Sequence, residues 1–274
     1  MNPSFEIRSS ITDTAGASLF VEIGQHGVSY WVINNMECME LVVYHFPANA
    51  PYDAAANYLK EVVSANPVLQ EPFDKINIIY AYPSAVLVPY EYMKHELKKN
   101  ILEMVYGDAQ DVTIKTDYMY RHQLYNVYSV PKQVDATVAY LLSADNCQHQ
   151  YSLLPDILKD NNNNLYCIFN NSYFTVMLQK EGKLQLLQTY SYKTPEDAAY
   201  YMLQLCESFG VKPASIQLYL NGMIDLSSSL YHEISKYFLE IKFGSLPDDY
   251  SYPEAIQEYP AHFFSHLFTM GLCV

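Results

Sequence analysis

His262-Phe263-Phe264-Ser265-His266 sets two imidazoles four residues apart, a spacing that puts both on one helical face, and Glu258 could add a carboxylate to a zinc set. A catalytic zincin helix needs glutamate directly after the first histidine, and Phe263 stands there. Pro260 breaks the helical register to Glu258, and a closed zinc site needs four ligands where three can be named. No metal site is expected. Cys147-Gln148-His149 falls in a stretch that reads as a linker and has no second metal-binding pair. Cys38, Cys147, Cys167, Cys206 and Cys273 are scattered with no C-x-x-C, which suits buried free thiols. Serine chemistry is equally poorly supported: no Gly-x-Ser-x-Gly elbow occurs, and Ser227-Ser228-Ser229 reads as a helix cap. Neither a P-loop nor a Gly-x-Gly-x-x-Gly fingerprint is present, and nine glycines in 274 residues leave little for phosphate cradles. No catalytic residue emerges, and the chain is not read as an enzyme.

The elements around these residues are those of a globular α/β protein. Half of the residues are hydrophobic and 17% are charged, enough for packed cores and too apolar for disorder. At ~100–200 residues per domain the length suggests two domains. A net charge of −14 repels phosphate backbones and anionic lipid, so neither nucleic acid nor membrane is an expected partner. The start, Met1-Asn2-Pro3-Ser4-Phe5-Glu6, lacks a basic and apolar leader, and no apolar run reaches ~18 residues. The expected location is cytoplasmic, and there the Asn170-Asn171-Ser172 sequon carries no weight. Tyrosine is over-represented, 27 residues, which suits half-exposed strands and protein contacts. Pro247-Asp248-Asp249-Tyr250-Ser251-Tyr252-Pro253 is acidic, aromatic and turn-rich, and is expected to be an exposed partner patch.

An internal duplication organises the chain. Pro51-Tyr52-Asp53-Ala54-Ala55-Ala56-Asn57-Tyr58-Leu59 matches Pro195-Glu196-Asp197-Ala198-Ala199-Tyr200-Tyr201-Met202-Leu203 at five of nine positions, 144 residues apart. Thr194, Pro195 and Asp197 form the cap of a helix, whereas Ala50 offers no capping oxygen in the first copy. Residues 95–107 match 232–244 at six of thirteen positions, 137 apart, and a β-type run lies between the helices in each half, 76–80 and 216–220. Three strands precede each first helix, at 19–23, 28–33 and 38–46, then at 165–169, 174–179 and 184–192. Turns fall at 24–27, 34–35 and Glu181-Gly182. Each half thus reads β-β-β-α-β-α, and residues 112–115 supply the added strand of the first half. Residues 118–128 read as further strand and 132–142 as a connecting helix. The asparagine loop 160–164 puts the boundary near 145–163, giving halves 1–150 and 151–274.

Two such units resemble the duplicated ribonuclease-H-like halves of the actin/Hsp70/sugar-kinase superfamily. The chain is similar to the bacterial DUF3822 family through residues 182–190, 197–210, Leu220-Asn221-Gly222 and Ala261-His262-Phe263-Phe264. The resemblance implies an actin-like ATPase fold with two mixed five-stranded sheets flanked by helices around a central cleft. It also implies kinship with cell-division and pilus-assembly actin homologues. Members that hydrolyse ATP carry Asp-x-Gly, then Thr or Ser, in the first hairpin of each half, so that a carboxylate positions Mg²⁺ or water. Here Glu22 and Gly24 keep the acid-x-Gly spacing, followed by Gln25 and His26, with a longer acid and no prompt hydroxyl. The second hairpin offers only Asn170, Asn171 and Ser172, and the adenosine turn keeps one glycine, Gly222. These eight residues are the vestige of a nucleotide cleft. The expectation is a protein-interaction or scaffold component with no cofactor, an unnamed protein partner and homo-oligomerisation left open. The alternative is a conformational switch that binds ATP and Mg²⁺.

Overall fold

The computed structural model describes residues 1–9, 14–47, 50–51, 53–158 and 160–274. They form two compact units, Met1–Leu153 with Asp248–Ile256, and Leu154–Pro247 with Gln257–Val274. In the first unit, strands β1 (Phe5–Arg8), β2 (Ser18–Gly24), β3 (Gly27–Asn34) and β4 (Glu37–His45) precede helix α1 (Ala55–Ala65) and β5 (Lys75–Ala81). Next come β6 (Ala85–Pro89), α2 (Lys98–Tyr106), β7 (Val112–Met119) and β8 (Leu124–Pro131). Helix α3 (Lys132–Leu142), β9 (Asn146–His149) and the single turn α4 (Gln150–Leu153) follow. The second unit holds β10 (Asn164–Phe169), β11 (Tyr173–Lys180), β12 (Lys183–Ser191), α5 (Pro195–Ser208), β13 (Gln217–Gly222), α6 (Ser229–Ile234), β14 (Glu240–Phe243) and α7 (Ser265–Gly271).

The second sheet runs β12-β11-β10-β13-β14, and the first contains the same order as β4-β3-β2-β5-β9. In both, the first three strands form an antiparallel meander and the last two join in parallel. Helices α1 and α3 pack together in the first unit as α5 and α6 do in the second. The match extends to register. The pairs Ile23↔Val28 and Val28↔Tyr44 recur 146 residues later as Phe169↔Phe174 and Phe174↔Tyr190. The Phe46 N–H donates to the His26 carbonyl at 2.8 Å, and the Tyr192 N–H to the Ser172 carbonyl at 2.9 Å. A bulge between Val32 and Ile33 recurs between Leu178 and Gln179. The tight turns also coincide: Asn35-Met36 and Glu181-Gly182 all have positive φ, as a two-residue hairpin turn requires. Over residues 18–46 and 164–192 only Leu19/Leu165, Leu41/Leu187 and Tyr44/Tyr190 are identical. Hydrogen-bond geometry, not side-chain identity, carries the repeat.

The first helices match at a slightly different offset. Buried positions are 55, 56, 59, 62 and 63 in α1 and 198, 199, 202, 205 and 206 in α5, five for five at 143. The sequence identities at 144 are therefore one residue out of register with the buried faces. Thr194 and Asp197 close the expected capping box, whereas α1 begins only at Ala55 with no side-chain cap. Tyr52, inside the first motif, lies outside the described residues.

The second expected match fails. Residues 95–107 cover a 3₁₀ turn and α2, while 232–244 cover the end of α6 and strand β14. The helix equivalent to α6 is α3, whose limits 132–142 agree with the sequence reading. The two segments share a mixture of apolar and charged residues, but only the first is mainly helix. Strand β7, expected to complete the first main sheet, instead joins β6 and β8 in a separate three-stranded antiparallel sheet, packed on α2. The fifth strand is β9, read as linker because Asn146-Cys147-Gln148-His149 is short and polar. The first main sheet has six strands rather than five, since β1 pairs along the outer edge of β4. The stretch 118–128 is broken by a 3₁₀ turn at Tyr120–His122, with Gln123 left-handed.

Candidate functional site

Glu22 lies two residues before the end of β2, whose alternate residues Leu19, Val21 and Ile23 are fully buried on the other face. It lies between Ser29 on β3 and Ile79 on β5. It makes no ion pair or hydrogen bond among the described residues, and burial pushes its carboxyl up to about 7. Burial thus disfavours its charged form. Gly24 faces Ala81 on β5, where an added Cβ would lie 2.7 Å from the Ala81 carbonyl oxygen, and Gly27 approaches the Tyr44 carbonyl similarly, at 2.6 Å. Both glycines are thus explained by strand contact. Gln25 and His26 are half-buried between them, and burial lowers the His26 pKa. No cationic side chain stands within the turn itself.

At the shared offset of 146, the second hairpin puts Ile168 where Glu22 stands, Asn170 at Gly24, Asn171 at Gln25, Ser172 at His26 and Tyr173 at Gly27. Ile168 is 3% exposed and apolar. The Asn170 N–H is used by the Tyr173 carbonyl at 2.9 Å, and the Asn170 carbonyl accepts the Tyr192 hydroxyl at 2.6 Å. Asn171 and Ser172 project into solvent. Gly222 is held by packing: its φ is +76°, and a Cβ there would overlap the Phe169 carbonyl oxygen. The Met223 N–H donates to that same oxygen at 2.7 Å. Next to it, buried Asn221 donates to the Cys167 carbonyl at 3.3 Å and accepts from the Ser265 hydroxyl at 2.8 Å.

The structure therefore brings Glu22, Gly24, Gln25 and His26 together at one strand end of the first unit. It brings Asn170, Asn171, Ser172 and Gly222 together at the corresponding end of the second.

The strongest polar cluster lies elsewhere and left no sequence signal, since its members are scattered over 80–152. Asp117 accepts from the Ser152 hydroxyl at 2.6 Å, the His149 N–H at 2.8 Å and the Tyr128 hydroxyl at 3.1 Å. Burial raises its pKa, and those three donors oppose the rise. His149 is fully buried, with Nε2 2.8 Å from the Tyr82 carbonyl and Nδ1 accepting the Tyr151 N–H at 3.1 Å. Those bonds define the neutral Nε2–H tautomer, and burial pushes its pKa down to about 4. Nearby, Asp135 pairs with Lys115 at 2.8 Å and accepts the Tyr80 hydroxyl at 2.8 Å. Together these groups tie β7 of the small sheet to α3, β9 and α4. Lys115 pairs with Asp135, and three neutral donors satisfy Asp117, which suits fixing the inserted sheet in place.

Two further expectations are corrected. His262 sits in a 3₁₀ turn and His266 in α7, so they do not share one continuous helix, and His262 Nε2 lies 2.6 Å from the Ile224 carbonyl. Tyr250 is not an exposed contact but 7% exposed, and Ser251 bridges to Glu37 beside it. Ser228 caps α6 as expected, accepting the Tyr231 N–H at 3.1 Å. No helix among the described residues is long and apolar enough to cross a membrane.

With the geometry described, its relatives can be compared. A protein of unknown function from Bacteroides thetaiotaomicron with an actin-like ATPase fold aligns with TM-score 0.77 and 14% identity, covering 96% of this chain and 99% of that one. PilM, in the PilM–PilN type IV pilus biogenesis complex, aligns with TM-score 0.63 and 10% identity, over 93% and 97%. The ethanolamine utilization protein EutJ from Carboxydothermus hydrogenoformans gives 0.55 and 7%, over 98% and 93%. No curated protein matches the sequence. The family model described as protein of unknown function DUF3822 matches residues 7–241. The chain belongs to the DUF3822 family and has the actin-like ATPase fold, two ribonuclease-H-like units built on one duplicated frame.

Proposed function

We propose that this protein is a protein-interaction or scaffold component whose nucleotide site has degenerated. The observation that carries the reading is the substitution of Ile168, Asn170 and Tyr173 for Glu22, Gly24 and Gly27 on an otherwise identical hairpin frame. The resemblance to ATP-hydrolysing members implies that both hairpins must supply groups to the triphosphate and its metal. The second has no acid, and its first N–H is already bonded within the turn. The first has an acid one methylene longer than aspartate, with no hydroxyl promptly after it, and burial disfavours its charged form. Positioning of that kind fails steeply when one group is removed. PilM, a neighbour of the same fold, is seen in a complex with PilN, which supports a role exercised through protein contacts.

The competing reading is an ATP-binding conformational switch, favoured by the retained Glu22-x-Gly24 spacing at the end of β2. Isothermal calorimetry of the intact protein with ATP and Mg²⁺ separates the two. The scaffold reading expects no saturable heat. A dissociation constant in the micromolar range contradicts it.

A further inference from the structure

Strand pairing lays out what surrounds Glu22. Its own row runs Val43, Ser29, Glu22, Ile79 and Gln148 across β4, β3, β2, β5 and β9. The row on one side holds Phe20 and Trp31, both buried, with their rings stacked at 5.3 Å. The row on the other side holds Gly27, Gly24 and Ala81, so these positions put nothing larger than a methyl group beside the carboxyl.

Two polar groups of the central row are unused. Neither the Glu22 carboxylate nor the Ser29 hydroxyl takes part in a hydrogen bond or ion pair among the described residues. Both residues are half-buried, so a ligand can reach them. Burial alone accounts for the raised Glu22 pKa, with no charge of either sign contributing. A carboxylate set among apolar side chains is normally paired with a cation. This row supplies an acid and a hydroxyl, and no cation of its own.

We infer that Glu22 is the docking point for an arginine side chain of a partner protein, whose guanidinium pairs with the carboxylate and donates to the Ser29 hydroxyl oxygen. A guanidinium is more weakly hydrated than an ammonium, so it costs less to bring beside Phe20 and Ile79. Its planar fork grips a carboxylate with two N–H groups and keeps others for a neighbouring acceptor. A divalent metal fits less well, because it needs several oxygen ligands where the row offers one carboxylate and one hydroxyl. The net charge of −14 draws cationic partners in from a distance. Such a contact gives the proposed scaffold a partner chemistry and rests on that reading, since the same acid cannot serve a triphosphate and its metal at once.

Amide chemical shifts of the intact protein, in separate titrations with ethylguanidinium, ethylammonium, ethylurea and Mg²⁺-ATP, test it. Ethylguanidinium at millimolar concentration should give saturable shifts centred on residues 22–29. Ethylammonium should bind about threefold more weakly or worse, and uncharged ethylurea should not saturate. Glu22→Gln, which keeps the side chain's size, should weaken ethylguanidinium about tenfold or more. Glu61→Gln, at an exposed acid of α1, should leave it unchanged. If Glu22→Gln unfolds by circular dichroism, the ranking of the three probes on the unaltered protein decides. Shifts scattered over exposed carboxylates, an equal response to ethylammonium or ethylurea, or binding that survives in folded Glu22→Gln overturns the assignment. Mg²⁺-ATP shifts at 24–27 and 170–172 contradict the scaffold reading and this contact with it. Silence toward both ATP and ethylguanidinium overturns the contact alone.

Discussion

The turn joining β2 to β3 and the turn joining β10 to β11 occupy one position on one frame, yet their chemistry has diverged. The first keeps an acid and two glycines. The second has an isoleucine, two asparagines, a serine and a tyrosine, and bonds its backbone to Tyr192. The conserved part, from strand register through bulge to two-residue turn, is what folding demands. The divergent part is what a ligand would need. A duplicated protein under pressure to hold triphosphate would keep the second part as closely as the first.

The comparison can be broken most forcefully at Gly222. Its counterpart across the repeat is Tyr80, since Ile23 pairs with Tyr80 and Phe169 with Gly222. Only in the second unit does β-strand packing demand a left-handed glycine, so Gly222→Val should destabilise that unit by ~4 kcal/mol or more. Gly24→Ala, with ordinary φ and a less severe approach to Ala81, should cost the first unit about 1–2 kcal/mol. Hydrogen exchange followed separately in each unit reads both values. Equal losses would mean that the two strand ends are built alike after all.

A second test sharpens the helix register. If the buried faces match at 143, Leu59→Ala and Met202→Ala remove equivalent side chains, both fully buried, and each should cost ~2–4 kcal/mol. Leu203→Ala, at the position paired with Leu59 by sequence identity, should cost less than about 1.5 kcal/mol because Leu203 is only partly buried. Urea denaturation of the three variants distinguishes the registers, and a Leu203 loss exceeding that of Met202 would restore 144.

The smallest expected effect is in pH dependence. Glu22 holds its proton in the folded chain up to about 7, above the ordinary 4.5. Its contribution is therefore fully present below 4.5 and lost as pH rises through 7. His149 behaves oppositely: with its folded pKa near 4, below 6.5, stability is full above 6.5 and falls as pH drops toward 4. Glu22→Gln should flatten the alkaline arm and raise stability at pH 8 by on the order of 1–3 kcal/mol. Ile168 gives the second unit no such arm at this position. A thermal melt series in which Glu22→Gln leaves the alkaline slope unchanged would show that the carboxylate is solvated.

Much of this frame is legible in the sequence. The meander strands, the Glu181-Gly182 turn, the α5 capping box and the limits of α3 follow from periodicity and turn residues acting locally, while the first turn, expected at 34–35, lies one residue later at Asn35-Met36. What the sequence conceals is partnership. Residues 112–115 read as strand, but nothing in them says that β8 rather than β5 is the neighbour. Strand β9 is four polar residues whose pairing with β5 depends on that sheet being in place. Glu22 and Gly24 could be picked out, but that burial would raise the acid's pKa, or that Ala81 already explains the glycine, required the neighbouring strand. The likeness of residues 95–107 to 232–244 misled because a similar mixture of apolar and charged residues serves a helix in one and a helix end followed by a strand in the other. The 146-residue register passed unseen because three identities in twenty-nine positions leave nothing to align.

One frame was copied, and the proposed function requires that one copy has lost its grip on phosphate. Amide chemical shifts of the intact protein during titration with Mg²⁺ and a non-hydrolysable ATP analogue test it most directly. The account predicts no saturable shift at residues 170–172, where the backbone is committed to its own turn. Saturable shifts at 170–172 together with 24–27, at micromolar ligand, would contradict it.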